Sequence, residues 1–370
     1  MTVVSPGVDD GPVLLAAGIP AASRTSTTHL AAILCRRSGS SRVGLARGQR
    51  LVSEGRPGVT SAAVTELEVR RPRRLVAGDR VAIVAPSGPL SVERLELGLE
   101  ILRTWDLEPV VMPSALSQHK SLPYLAGDDA ARADDFSTAW LDPSYAAVFC
   151  GRGGYGVQRM LPHLELDELA GVEKILLGFS DITALHEPFN ARGLVTVHGP
   201  MASSVGQLRS PDGHDRLRAL LFEPETVTDL LAPTGAATVV PGTAEGRLLG
   251  GNLALLAASI GTPTFARPAG IVVLEDVSED GYRVDRLLTQ LLRANWFDGV
   301  TGLVIGDFSE PDDQEIVASV FRERLVPLGL PMVEGAAIGH EDLNLAVPLG
   351  APVALDATAG TLTPLVTPFR

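Results

Sequence analysis

Residues 175–186 read ILLGFSDITALH, an apolar run that stops at Gly178 and gives way to a helix-like segment from Asp181. This pattern is typical of a strand that leads straight into a helix. Ser180 lies at the turn, where its hydroxyl can project from a sheet beside converging backbone N–H groups, as a nucleophile elbow requires. The G-x-S-x-G form is absent, because Asp181 and Ile182 follow the serine. The alternative is that Ser180 or Asp181 caps the helix.

Strands and helices alternate through the part of the chain around this serine. Apolar runs and helical spacing predict the order strand 80–86, helix 91–102, strand 109–112, helix 130–141, strand 145–150 and strand 174–179. Such alternation favours a parallel sheet with helices on both faces, and ligands bind at the carboxyl ends of its strands. Ser180 and the glycine loop at 151–156 both follow strands, so we expect them to share one crevice.

Charge and periodicity divide the chain into segments. Residues 1–74 hold 11 Arg against 5 acidic residues and have no sustained periodicity, which predicts a disordered extension. The fold class is α/β. The predicted segments are the extension 1–74, a Rossmann-like parallel-sheet domain with the nucleophile elbow over 75–200, a linker with one short helix over 201–243, and a smaller mixed α/β domain over 244–370.

The overall composition limits the classes of partner. The formal net charge is −13, which disfavours a nucleic-acid backbone or an anionic membrane as a partner. Cys35 and Cys150 are too few for a disulfide framework. No apolar run approaches the roughly 18 residues that span a bilayer. We therefore expect a soluble, cytoplasmic protein that binds neither nucleic acid nor membrane.

The glycine loop at residues 151–156, GRGGYG, has three interpretations. It matches the G-x-G-x-x-G pattern of dinucleotide-binding proteins, and Asp181 would be the ribose-binding acid of an NAD-dependent oxidoreductase. Glycines also let backbone N–H groups approach a developing alkoxide, as in an oxyanion hole. The third interpretation is a plain tight turn.

A serine nucleophile needs a base, and the base needs an orienting partner. Among the seven histidines, His340 lies in a loop beside Gly339, a position that suits delivery of a side chain to a confined place. His198 ends a predicted strand and lines the expected crevice. His186 lies on the helix after Ser180, where we expect it to pack in the interior.

Glu275 is the acidic candidate for the orienting partner. It ends the apolar strand 270–275, where a carboxylate is costly unless it is paired or hydrogen-bonded; a strand end in water is the alternative. No cluster of His, Cys and acidic residues has the spacing of metal ligands, so we expect no metal or other cofactor.

Several motifs together resemble the LD-carboxypeptidase family of serine peptidases, which includes muramoyl-tetrapeptide carboxypeptidases and microcin-immunity-type peptidases. The resemblance extends from about residue 75 to the C-terminus. It rests on VAPSG (84–88), GRGGYG (151–156), GFSDIT (178–183), HGP (198–200), GRLLGGN (246–252), LED (274–276), YR (282–283) and GH (339–340).

This resemblance implies roles for the candidate residues. It implies a catalytic triad of Ser180, Glu275 and His340, with the serine in the N-terminal domain and the other two in the C-terminal domain. It further implies an oxyanion hole from the backbone N–H of Asp181 and of the glycine loop, where Gly153 and Gly154 are the candidates. The family is usually homodimeric, so a homodimer is expected.

The resemblance also implies a substrate. Asn344 and Pro348 resemble the peptidoglycan-recycling branch, which releases the terminal D-alanine of a muropeptide tetrapeptide by cleaving an LD peptide bond. Glu341 and Asp342 depart from the small residue expected after His340, which leaves the choice of substrate open. The alternative substrate is the peptide–nucleotide conjugate of the microcin-immunity branch. A more distant alternative is the NAD-dependent oxidoreductase.

A carboxypeptidase must recognise a free terminal carboxylate, and a guanidinium does so with two hydrogen bonds. The candidate substrate-binding residues are Arg152, Tyr155 and Arg283.

Overall fold

The computed structural model describes residues 67–370. Its strands are β1 (Arg80–Val84), β2 (Glu108–Val111), β3 (Ala147–Cys150), β4 (Ile175–Gly178), β5 (Thr196–His198), β6 (Ala237–Val240), β7 (Thr243–Asn252), β8 (Gly270–Val277), β9 (Val300–Ser309), β10 (Met332–Glu334), β11 (Val347–Leu349), β12 (Pro352–Asp356) and β13 (Thr361–Pro364). Its helices are α1 (Val92–Thr104), α2 (Asp129–Leu141), α3 (Val157–Met160), α4 (Leu166–Ala170), α5 (Thr183–Ala191), α6 (Val205–Arg209), α7 (Pro211–Phe222), α8 (Leu253–Ser259), α9 (Gly281–Arg293) and α10 (Gln314–Arg324).

The first sheet has six strands in the order β11-β5-β4-β3-β1-β2. Strands β1 to β5 are parallel, and β11 pairs antiparallel with β5. Along β1, Val81 and Ile83 belong to the core on one face, while Ala82 and Val84 belong to the core on the other. Both faces are therefore covered, and the predicted Rossmann-like parallel sheet is confirmed.

The second sheet has seven strands in the order β13-β12-β7-β8-β9-β10-β6. Strands β7 to β10 are parallel, and the outer strands are antiparallel. Helix α9 buries Val284, Leu288 and Leu291, which recur at the predicted helical spacing. The sheet is mixed, as expected for the second α/β unit.

The edge strand β11 departs from the predicted division of the chain. It comes from the C-terminal segment, yet its residues Val347 and Leu349 pair with His198 and Thr196 of β5 in the first sheet. The C-terminal segment therefore completes the sheet that carries Ser180.

The last residues of the predicted extension contact the first sheet. Residues 1–66 of the predicted extension lie outside the described residues, as does Cys35, but 67–74 are described. Arg70 forms a parallel bridge with Leu194, and its backbone N–H donates to Gly193 O at 2.8 Å. These backbone hydrogen bonds attach the segment beside the start of β5.

The segment 201–243, predicted as a linker with one short helix, contains two α-helices and a strand that pack against the two sheets. Helices α6 and α7 bury Leu208, Leu217 and Leu220 against the first core. Strand β6 pairs antiparallel with β10 at the edge of the second sheet. Proline and glycine interrupt the periodicity of this segment, which is why packing against distant residues was not visible in the sequence. No helix within residues 67–370 is long and apolar enough to cross a membrane.

Candidate active site

Ser180 lies two residues beyond the end of β4, in a short 3-10 turn (Ser180–Ile182) that leads into α5. Its φ is +63°, a left-handed conformation that costs a non-glycine residue about 1–3 kcal/mol. A strained strand-to-helix turn of this kind holds the side chain out beyond the sheet. The structure therefore has the geometry of the predicted nucleophile elbow.

The side chain of Asp181 ties this turn to two neighbouring loops. It accepts hydrogen bonds from Ser87 Oγ at 2.6 Å and from the backbone N–H of Val157 at 3.0 Å. Burial raises the pKa of Asp181, although these bonds oppose the effect. Neither Ser180 nor Asp181 caps α5, because no side-chain cap bond forms at either helix start. The capping alternative is thus wrong.

The glycine loop packs directly on the serine. A Cβ atom added to Gly153 would lie 3.0 Å from Ser180 Cβ, 3.1 Å from Ser180 Oγ and 3.6 Å from the backbone nitrogen of Asp181. Such contacts are too close for most side chains, so the loop needs glycine there. The loop follows β3 rather than β1 and precedes only the four-residue helix α3, an arrangement that does not favour dinucleotide binding.

Glu275 and His340 form a hydrogen-bonded pair. Glu275 lies on β8 with its side chain fully buried, and His340 donates from Nδ1 to Oε2 of Glu275 at 2.8 Å. Burial would raise the pKa of Glu275, but its contacts with His198 and His340 outweigh burial and lower it. Burial would lower the pKa of His340, but the bond to Glu275 outweighs burial and raises it. The pair therefore combines an ionised carboxylate with a more basic imidazole.

Two further carboxyl groups surround this pair. Burial and the charge of Glu275 raise the pKa of Asp276 to about 6, and its carboxyl accepts a hydrogen bond from Asn252 Nδ2 at 2.9 Å. Burial, with the charges of Glu341 and Glu275, raises the pKa of Asp307 to about 7. Burial is the main cause of both raised pKa values, and the neighbouring carboxylates add to it.

The loop that carries His340 is held by a side chain of helix α6 and by a side chain of its own. Gln207 of α6 donates from Nε2 to Gly339 O at 3.2 Å and to Glu341 O at 2.9 Å. The backbone N–H of Gly339 donates to Asn344 Oδ1 at 3.2 Å. Gly339 has φ +146°, and an added Cβ would lie 2.9 Å from Asp307 Cβ. A side chain at this position would therefore push the loop away from β9, the strand that carries Asp307.

Ser180 and His340 line one cavity of about 360 Å³. The other residues that line it are Ser91, Arg94, Arg152, Gly153, Gly154, Phe179, Met201, Ser203 and Ser204. Among the hydrogen bonds of residues 67–370 there is none between Ser180 Oγ and His340; such bonds often tighten only when substrate binds. A larger cavity of about 740 Å³ lies elsewhere, but it lacks these groups, so size does not identify the site.

The three predicted substrate-binding residues lie in different surroundings. Arg152 lines the cavity, with Nε donating to Gly153 O at 3.0 Å. Tyr155 is exposed and lies near Tyr124, with ring centres 6.1 Å apart. Arg283 is on α9, 3.6 Å from the Asp280 carboxylate. Of these three residues, only Arg152 lines the cavity that contains Ser180.

Sequence reasoning missed several residues of the site. Arg94 on α1 lines the cavity, and its position one turn after the helix-opening Ser91 was the available signal. Gln207 lay in the presumed linker and had no signal.

His186 is buried as predicted: Nε2 donates to Gly178 O and Nδ1 accepts from Thr196 Oγ1, both at 2.9 Å. In the described part of the chain, no group of three or more His, Cys, Asp or Glu side chains could hold a metal ion.

A serine on a strained turn that shares a cavity with a carboxylate-bound imidazole is typical of serine hydrolases. The sequence matches the model of the LD-carboxypeptidase N-terminal domain over residues 81–199 and that of the C-terminal domain over residues 245–355. The chain belongs to the LD-carboxypeptidase family.

Relatives and solved structures agree with this assignment. The chain is 51% identical over 301 residues to a putative carboxypeptidase of Streptomyces coelicolor, covering 80% of this chain and 96% of the relative. It is 33% identical over 292 residues to the murein tetrapeptide carboxypeptidase of Pseudomonas aeruginosa, covering 75% of this chain and 93% of the relative. The solved structure of the microcin C7 self-immunity protein aligns with a TM-score of 0.72 at 22% identity, covering 81% of this chain and 99% of that chain. This last likeness shows the shared fold.

Proposed function

We propose that this protein is a serine carboxypeptidase that cleaves the LD peptide bond before the terminal D-alanine of muropeptide tetrapeptides. The observation that carries the proposal is the 2.8 Å bond from His340 to Glu275, made by an imidazole that shares a cavity with Ser180. The murein tetrapeptide carboxypeptidase among its relatives supports the substrate class.

In the proposed reaction Ser180 is the nucleophile and His340 is the general base. Because Nδ1 of His340 is bonded to Glu275, Nε2 is the nitrogen left to take the serine proton as Oγ attacks the scissile carbonyl. Glu275 holds this tautomer and stabilises the imidazolium that forms. His340 then donates the proton to the leaving amine of D-alanine, and water hydrolyses the acyl-enzyme in the same way.

The oxyanion of each tetrahedral intermediate needs hydrogen-bond donors. We assign them to the backbone N–H of Asp181 and of the glycine loop at Gly153 or Gly154, since Gly153 lies against Ser180 Oγ. Arg152 is proposed to bind the terminal carboxylate of the substrate, because it lines the same cavity.

One experiment tests both the activity and the nucleophile. The protein is incubated with a disaccharide tetrapeptide, and mass spectrometry follows the loss of one alanine. We expect turnover by the wild type and a loss of several orders of magnitude for Ser180→Ala, with folding preserved. A matched control is Ser319→Ala, which removes an exposed serine hydroxyl on α10 outside the cavity and should leave turnover unchanged. Absence of alanine release by the wild type would overturn the substrate class.

The microcin-immunity branch is the second candidate, because its structure shares this fold. Cleavage of a peptide–nucleotide conjugate in preference to the tetrapeptide would favour it. Measurable NAD binding, lost when Gly153 is replaced, would instead support the oxidoreductase. The homodimer and the cytoplasmic location stay predictions, and sedimentation analysis would test the first.

A further inference from the structure

A second imidazole, that of His198, lies beside Glu275 and approaches a different oxygen of the carboxylate from His340. His198, at the end of β5, is fully buried, and its Nε2 is 3.6 Å from Oε1 of Glu275. Within residues 67–370, neither ring nitrogen of His198 has a hydrogen-bond partner, and neither does Oε1 of Glu275. The other oxygen of Glu275, Oε2, already accepts from His340.

Unpartnered buried groups of this kind are costly. A buried carboxylate oxygen without a donor loses its hydration without compensation, and so does a buried imidazole N–H. Here the two unsatisfied groups face each other, and a shift of roughly half an ångström would bring them within hydrogen-bond distance. Each is therefore the natural partner of the other.

Comparison with His186 shows that the unpartnered ring nitrogens are a feature of His198 and not of both buried histidines. His186 also lies near, with ring centres 6.4 Å apart, but both of its nitrogens are engaged by Gly178 and Thr196. Phe179 contacts both remaining imidazoles, with ring centres 5.7 Å from His198 and 4.8 Å from His340. Among these histidines, His198 alone has an uncommitted N–H to offer Glu275.

We propose that His198 is a positioning residue that donates from Nε2 to Oε1 of Glu275, so that the carboxylate is held between two imidazoles. His198 does not touch the substrate in this proposal. It fixes the rotation of the carboxylate, which in turn directs Oε2 to Nδ1 of His340. The inference rests on the role proposed above for Glu275.

The first test uses the wild-type protein. Nitrogen-15 NMR of the imidazoles reports which ring nitrogen carries the proton. We expect His198 to carry it on Nε2, the nitrogen that faces Glu275. A neutral His198 with its proton on Nδ1 would overturn the proposal, because the nitrogen near the carboxylate would then be an acceptor.

The second test is a matched pair of amide variants. In His198→Gln the amide nitrogen can reach the position of Nε2, whereas in His198→Asn it stops near that of Nδ1. We expect His198→Asn to lower kcat by about 10–100-fold, the usual effect of removing a partner that orients a functional side chain, with KM unchanged. His198→Gln should recover most of the loss. Equal losses in the two variants would point to packing alone and reject the positioning role.

The pH profile separates positioning from packing. The pKa of His340 is raised by the negative charges of Glu275, Asp276 and Asp307. The pKa of Glu275 is lowered by its two imidazole neighbours, His198 and His340. Removing the donor from Oε1 leaves Glu275 holding the proton of His340 more tightly, so the acid limb of kcat/KM should move to higher pH in His198→Asn. In His198→Gln it should stay near the wild-type position. If the acid limb does not move in His198→Asn, the positioning role of His198 is rejected. Loss of activity in Ser180→Ala would still support the proposed serine hydrolase, so failure of the positioning role can be distinguished from failure of the proposed function.

Discussion

Glu275 is a carboxylate with no exposed surface that nevertheless stays ionised. Its contacts with two imidazoles lower its pKa more than burial raises it. The reverse balance holds at His340, where the bond to Glu275 outweighs burial and raises the pKa of the imidazole above the ordinary 6.5. A base of raised pKa accepts the serine proton more readily, which is what acyl transfer near neutral pH needs.

This balance predicts the pH dependence of the reaction. His340 must be neutral to act as a base, so kcat/KM should fall as the pH drops through its raised pKa. In Glu275→Gln the charge is lost, burial dominates, and the pKa of His340 falls. The acid limb should then move to lower pH, while kcat drops by about 10⁴-fold, as for the acid in other triads. The control is Glu279→Gln, which removes a carboxylate two residues beyond the end of β8 and should leave the acid limb in place. If the acid limb does not move in Glu275→Gln, Glu275 does not orient His340.

Arg152 allows a test of how the substrate terminus is recognised. We expect Arg152→Gln to raise KM for a peptide with a free carboxylate about 10-fold or more, since a charge-assisted hydrogen bond is lost. KM for the corresponding amide should hardly change. Arg283→Gln is the matched control, because Arg283 lies beside Asp280 on α9. Steady-state kinetics on the two substrates measures this, and equal effects on both would argue against carboxylate binding.

At the scale of elements, the loop between β10 and β11 sets the position of the base. It reaches Glu275 because Gly339 passes close to β8 and β9: an added Cβ would lie 3.3 Å from Glu275 Cβ on β8 and 2.9 Å from Asp307 Cβ on β9. Gln207 of α6 then holds the two carbonyls that flank His340. The loop is thus attached from two sides and presents one side chain to the cavity.

Gly339→Ala should therefore impair catalysis more than stability. We expect kcat to fall about 100-fold, because a misplacement of about 1 Å has effects of that size, and stability to fall by about 1–3 kcal/mol. Gly335→Ala is the control: its φ is +76°, and no described heavy atom lies within 4 Å of an added Cβ. It should lose a similar amount of stability without losing kcat. Kinetics and thermal unfolding of both variants, compared side by side, test this.

The elements that sequence analysis predicted well are those with their own periodicity. Helix α9 and the strands β1, β4 and β8 have local patterns that need no partner to be visible. Strand β11 has three residues, and β7 is rich in glycine, so their pairing depends on distant neighbours that no local pattern encodes. In the site, Ser180, Glu275 and His340 each carried a local signal. The contact between His198 and Glu275 did not, because 77 positions of chain separate them.

At the scale of the molecule, the two sheets share a core. One continuous cluster of buried side chains includes Val197 of β5, Leu349 of β11, Leu248 of β7 and Val273 of β8. The backbone N–H of Asn252, at the end of β7, also donates to Thr183 Oγ1 at 3.0 Å, only three residues from Ser180. Ser180 and the His340–Glu275 pair are therefore supported by one packed interior, which predicts that the two sheets unfold together.

Calorimetry can test this cooperativity. Although the sequence matches two separate domain models, we expect a single thermal transition whose calorimetric and van't Hoff enthalpies agree. Leu349→Ala removes a fully buried side chain that is C-terminal in sequence but lies in the first sheet, and it should cost about 2–5 kcal/mol. Because β11 joins the C-terminal segment to the first sheet, the whole transition should move to lower temperature. Two transitions, only one of which shifts, would mean that the sheets unfold independently and that the shared core does not couple the serine to its base.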